Sequence, residues 1–204
     1  MSRAERFNAV THMAGAILAV AGWLVLVVPA TVEGDVKSFI GLSIYGLTLF
    51  LVYVASTLYH TVRDEARELY RRYDRIAIYM VIAGTYTPVT LLKLPPEWGG
   101  PLLFGVWTLA VAGSVAELVL AHQKRTLSVA LYLLMGWMAL VAAKPLMDSL
   151  SLAAMVWLGV GGVIYTLGAI NLRWKLLPRS HEVWHVLVLA ASACHFAAIF
   201  FYIR

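Results

Sequence analysis

The stretch MAGAILAVAGWLVLVVPATV, Met13 to Val32, holds 20 residues without a charge. At about 1.5 Å of rise per residue, a helix of that length covers the roughly 30 Å hydrocarbon core of a bilayer. Val28, Pro29 and Ala30 resemble a small-residue cleavage site. The run is nonetheless longer than the about 7–15 residues of a signal-peptide apolar region, so it reads as a retained helix.

Working outward from that run, the same reading gives seven spans, at 12–32, 39–60, 75–93, 101–121, 127–147, 152–172 and 181–203. Short stretches with turn or charge signals separate them. These are Glu33-Gly34-Asp35, Arg63 to Arg72, Pro95 to Gly100, His122 to Arg125, Asp148-Ser149, and Arg173 to Ser180. The expected fold is all-α, an integral membrane bundle of seven transmembrane helices forming one domain, 1–204.

Composition agrees. Hydrophobic residues make up 61% of the chain and charged residues 13%, against about 45–50% and 25% in a soluble domain. A core of this size cannot hide that excess, so lipid must solvate it and the cell membrane is the expected location. The formal charge of +5 would suggest nucleic acid only if the basic residues formed a stripe on a soluble face. They sit between apolar runs, and nucleic acid is not expected as a partner. Cys194 stands alone within an apolar run, which excludes an intrachain disulfide and a cysteine-based metal cluster.

Basic residues orient the bundle. Twelve of the 16 Lys and Arg fall at the N-terminus and in the second, fourth and sixth connections. Lys37, Lys93, Lys144 and Arg204 fall on the other side. The positive-inside rule therefore predicts a cytoplasmic N-terminus and an external C-terminus.

Ionisable residues in spans are costly and are functional candidates by default. His60 closes the second span, Asp74 opens the third, and His181 and His185 open the seventh. Positions far apart in sequence thus converge at one depth, on the cytoplasmic side. His181 and His185 are four apart and share a helix face. Together with His60 they supply three nitrogens, and three protein ligands plus a water is the pattern of a catalytic zinc site. Asp74 can hold that water or act as its base. Ser56, one turn from His60, can hydrogen-bond a ligand, the water or a substrate carbonyl. A single histidine at a helix end is more often an interfacial residue, so the weight rests on the convergence.

His181-Glu182-Val183-Trp184-His185 also matches the H-E-x-x-H pattern of zinc peptidases, where the Glu is the base. The downstream candidate for a third ligand, His195, lies ten residues past His185, about 15 Å deeper along a straight helix. It cannot join the same ion. His12 stands at the right depth and either lines the site or caps the first span. Glu117, inside the fourth span, is a functional candidate, a partner for Lys124 or Arg125, or a protonated acid. Gly84, Thr85 and Pro88 suggest a kink in the third span. Trp98, Trp107, Trp137, Trp157 and Tyr202 read as packing or interfacial anchors.

Ser56-Thr57-Leu58-Tyr59-His60-Thr61, Tyr73-Asp74-Arg75-Ile76-Ala77 and His181 to His185 resemble the haemolysin III family, of the progestin and adipoQ receptor group. Glu5 to His12 looks like its first motif, and Cys194-His195-Phe196 resembles the end of its last helix. The likeness runs the length of the chain, in order. It implies a seven-helix bundle with the N-terminus inside. It also implies zinc held by His60, His181 and His185, with Asp74 reaching the metal through water. Receptor relatives are suspected ceramidases, and the wider superfamily includes alkaline ceramidases. Bacterial members carry a haemolysin label and are linked to membrane-fluidity homeostasis. Relatives commonly have Gln at the position of Glu182, which weakens a base role there. The large N-terminal domain of the receptors has no counterpart here, so hormone signalling does not transfer.

Three functions follow as expectations. The first is a zinc-dependent hydrolase of a membrane lipid amide or ester, working from the cytoplasmic side. The second is a non-enzymatic membrane-homeostasis regulator with structural zinc. The third is a haemolysin-type pore, against which the scarcity of charge along the spans argues.

Overall fold

A computed structural model describes residues 1–63, 65–120 and 125–204. The described residues form helices joined by short turns, without strands. The helices are α1 (Arg3–Glu33), α2 (Val36–Thr61), α3 (Ala66–Leu92), α4 (Pro96–Val119), α5 (Arg125–Gly136), α6 (Ala143–Ser149), α7 (Leu152–Trp174) and α8 (Ser180–Ala198). A 3₁₀ segment, Met138–Ala142, joins α5 to α6, and a π-helical turn, Ile199–Ile203, ends the chain. Among the described residues seven helical stretches are long and apolar enough to cross a membrane, with α5, the 3₁₀ segment and α6 forming the fifth.

Three helices, α1, α3 and α4, start well before the apolar runs suggest. Ser2 and Glu5 form a reciprocal capping box, with 3.1 Å from Glu5 N to Ser2 Oγ and 2.8 Å from Ser2 N to Glu5 Oε2. The S-x-x-E signature at residues 2–5 announces it. α3 takes in most of the charged run Arg63 to Arg72 that the sequence suggests as a connection, because Ala66, Arg67, Glu68 and Leu69 are strong helix formers. α4 begins at Pro96, where the missing N–H costs nothing. Gly34, at φ 71°, ends α1 in the left-handed conformation, and Asp35 then caps α2 through Ser38 N at 3.1 Å. The connection around His122 and Lys124 lies outside the described residues.

Sequential helices pack side by side, and α8 returns to pack on both α7 and α1. Pro88 lies inside the continuous α3. Gly84 serves the α2–α3 contact, since a Cβ there would lie 1.9 Å from Thr48 Oγ1. The molecule is apolar outside and polar in patches inside. Val32, Phe104 and Leu152 are 76–82% exposed, whereas Asn8, His12, Ser56, His60, Glu117, Asn171 and His185 are buried. That inversion suits a lipid solvent, where a buried polar group must find partners within the protein.

Candidate metal centre

The site lies at the end of the bundle that holds Ser2. Ser56 and His60, one turn apart on α2, are both buried. α8 contributes His181 and His185, whose rings stack at 5.1 Å between centroids. The His60 ring sits edge-on to both, at 5.0 Å and 4.8 Å. His60 Nε2 and His185 Nε2 are 3.1 Å apart, and one nitrogen from each of the three rings lies within 4.8 Å of the others.

These distances suit an ion. Two nitrogens each about 2.0–2.1 Å from a tetrahedral centre stand roughly 3.3–3.4 Å apart, close to the observed His60–His185 separation. The Nδ1 atoms of His60 and His185 are buried without hydrogen-bond partners among the described residues. By the spacing of their nitrogens the three histidines can hold a metal ion.

The start of α8 is held in place by α7. Buried Asn171 accepts the Leu177 N–H at 2.9 Å and donates to the Ser180 carbonyl at 3.3 Å. Lys175 and Arg179 both take φ 53°, a left-handed conformation unusual for non-glycine residues. This clamp sets the direction from which His181 and His185 enter. Nothing in the local sequence marks Asn171 as its agent.

A cavity of about 290 Å³ lies beside the cluster, lined at this end by Ser56, Asp74 and His12 and not by the three histidines themselves. His12, Ser56 and Asp74 line it with polar atoms, and most of the remaining wall is apolar. The Ser56 hydroxyl stands beside the Asp74 carboxyl. Both Asp74 and Val89 of α3 line the cavity, so it extends about 22 Å along that helix. Its lining reaches Leu102, Leu150 and Met155 at the opposite ends of their spans.

His12, from α1, joins the histidines, its ring 3.8 Å from that of His185 and edge-on to Tyr53 at 5.2 Å. His195 stands apart, its Nε2 3.1 Å from the Leu158 carbonyl and its ring against Tyr165 at 5.5 Å. Glu182 faces a separate shallow groove with Phe7 and Val186. Glu117 pairs with Arg75 at 2.7 Å and accepts from Ser128 Oγ at 2.6 Å. Of its two candidate partners, Lys124 and the Arg125 side chain lie outside the described residues. Spacing along the chain does not reveal the Arg75 pairing, which crosses from α3 to α4.

Seven apolar spans around a buried histidine cluster define a multi-pass membrane protein with a site able to hold a metal. Residues 2–196 match the family described as Haemolysin-III related. The chain belongs to the haemolysin III family. It is 37% identical over 200 residues to Hemolysin-3 of Bacillus cereus, spanning 98% of this chain and 91% of that protein. It is also 37% identical over 199 residues to the Hemolysin-3 homolog of Bacillus subtilis (strain 168), spanning 97% and 93%. A more distant likeness, 26% over 167 residues, joins it to human Monocyte to macrophage differentiation factor and spans 78% of this chain and 69% of that one. These relationships and the seven apolar helices agree with a location in the cell membrane.

Proposed function

We propose that this protein is a zinc-dependent hydrolase of a membrane lipid amide or ester. The observation that carries the reading is the closeness of the His60–His181–His185 cluster to a long apolar cavity, whose wall includes His12, packed on His185, and Ser56, one turn from His60. Three neutral imidazoles with room for a fourth, exchangeable ligand suit zinc better than the harder divalent cations, which prefer oxygen. When bound, zinc polarises a carbonyl and lowers the pKa of water toward about 7. The cavity wall receives the acyl chain and excludes water from it. The Ser56 hydroxyl donates to the substrate carbonyl oxygen and orients it. The Asp74 carboxylate accepts a proton from the attacking water and returns it to the leaving amine or alcohol. The concentration of 12 of 16 basic residues on one side supports a cytoplasmic N-terminus, which puts the site at the inner leaflet.

The test is elemental analysis of the purified protein together with turnover of a panel of acyl amides and esters. About one zinc per chain with release of fatty acid supports the proposal. Zinc without turnover of any member favours a regulator with structural metal. Lysis of erythrocytes by protein lacking hydrolytic activity would favour the reading that the relatives' names suggest. Reporter fusions at Arg204 test the orientation, and a cytoplasmic C-terminus would contradict it.

A further inference from the structure

His12 belongs to the histidine cluster by position but not to the set whose nitrogens lie within 4.8 Å of one another. It is 2% exposed, and neither of its ring nitrogens has a side-chain hydrogen-bond partner among the described residues, although the backbone of His185 stands beside the ring. A neutral imidazole carries one donor and one acceptor. Burying the acceptor unpaired costs free energy that a native structure rarely leaves uncompensated. The nearest rings, His185 and Tyr53, hold the imidazole by face and edge contacts. What remains open to it is the cavity, which it lines together with Ser56 and Asp74.

We propose that His12 hydrogen-bonds the headgroup of the lipid in the cavity, and so selects acyl lipids whose headgroup carries an N–H or hydroxyl. This rests on the hydrolase reading for the identity of the ligand, but binding alone can test it. Ser56 and Asp74 serve the carbonyl and the water in that reading. The polar atoms on the far side of the scissile bond then need a partner, and His12 is the remaining polar side chain at that depth of the cavity wall with an unmet ring nitrogen. A simple alkyl ester offers no donor there and gains little from it. An N-acyl amide with a hydroxyl offers both a donor and an acceptor.

The probes are N-stearoylethanolamine and methyl stearate, both with a dibrominated chain. Quenching of tryptophan reports their entry, since Trp137 and Trp184 line the cavity. The parent is expected to bind the amide at least about tenfold more tightly than the ester, the size of one buried hydrogen bond. His12→Phe keeps a ring against His185 and should lose that preference while holding the ester within about threefold of the parent. His12→Gln, which keeps a donor and an acceptor, should recover most of the preference, and this arm still decides if the Phe variant fails to fold. Metal content should stay near the parent's in both variants.

A preference that survives His12→Phe overturns the proposal, as does a parent that binds neither probe. Loss of metal from the His12 variants as complete as from His185→Ala would make His12 a ligand, which also overturns it. A parent that shows the preference but hydrolyses nothing defeats the hydrolase reading and leaves the role of His12 standing.

Discussion

Two regions border the same cavity and are built in opposite ways. At the histidine end, α1, α2, α3 and α8 run uninterrupted and bury polar side chains against one another. Ion pairs brace that end, Glu5 to Arg67 at 2.6 Å and Arg75 to Glu117 at 2.7 Å. Arg67 also lies over the Tyr59 ring at 5.5 Å, next to His60. In the fifth span the helix gives way to a 3₁₀ segment at Met138–Ala142, and a side chain from α3 repairs the backbone there. The Tyr86 hydroxyl accepts the Ala139 N–H at 2.9 Å and stands 2.9 Å from the carbonyls of Met135 and Gly136. The proposed hydrolysis would need donors fixed to within a fraction of an ångström, which suits the braced end. The fifth span supplies cavity wall, where shape matters more than the aim of any one group.

The sharpest way to break this contrast is at the ligands. His60→Ala should lower metal affinity more than the about 10–100-fold typical of groups that only support a ligand, and hydrolysis should go with it. His195→Ala should leave metal content near the parent's, because His195 is engaged with Leu158. Equal loss from the two variants, measured by elemental analysis after dialysis, would dissolve the distinction between cluster and cavity wall.

Asp74→Asn comes next. It removes a proton acceptor while keeping a similar shape, and positioned acid–base groups contribute about 10²–10⁴-fold. Turnover should fall by that order with zinc retained. An Asn variant as active as the parent would reduce Asp74 to a polar residue near the start of α3.

The seven spans were legible because membrane solvent writes itself into long apolar runs. The histidine cluster was legible for a related reason. Histidines are conspicuous in such runs, and a helix of known rise converts chain position into depth, so His60, His181 and His185 could be set side by side without coordinates. Depth says nothing of azimuth, and so the membership of His12 stayed open until α1 was seen to turn it toward His185. The Arg75–Glu117 pair, the Asn171 clamp and the break in the fifth span depend on contacts between helices, which leave no periodic trace. The early start of α1 was different, since the capping box at residues 2–5 was there to be read.

The bracing at the histidine end can be weakened without touching a ligand. The Glu117 side chain is fully buried and Arg75 is 21% exposed. Removing one partner of such a pair commonly costs about 3–5 kcal/mol. Glu117→Gln should fall near the lower figure, because Gln can still accept from Ser128. Denaturant or SDS titration of the purified protein would measure it. Since Arg75 adjoins Asp74 in sequence, turnover should fall further than metal content. A variant as stable as the parent would mean that the pair contributes nothing net.

The smallest effect is expected at the other region. Tyr86→Phe deletes one oxygen, yet that oxygen serves a backbone that cannot satisfy itself. A 3₁₀ segment leaves its first N–H groups without partners from the preceding turn, and Ala139 N–H finds Tyr86. With phenylalanine it finds nothing equivalent in an apolar wall, and a net hydrogen bond is worth about 1 kcal/mol. Overall stability should therefore drop by about that amount. The loss should be local, because the ring still packs against the buried cluster that includes Met135 and the histidine end is not involved. Hydrogen exchange at 138–142 should quicken by roughly fivefold, the equivalent of 1 kcal/mol in a local opening equilibrium, while amides of α2 near His60 keep the parent's rates. Metal content should be unchanged. If exchange quickens equally at both places, the cavity wall and the metal end open as one unit, and the contrast between them is one of appearance rather than of energy.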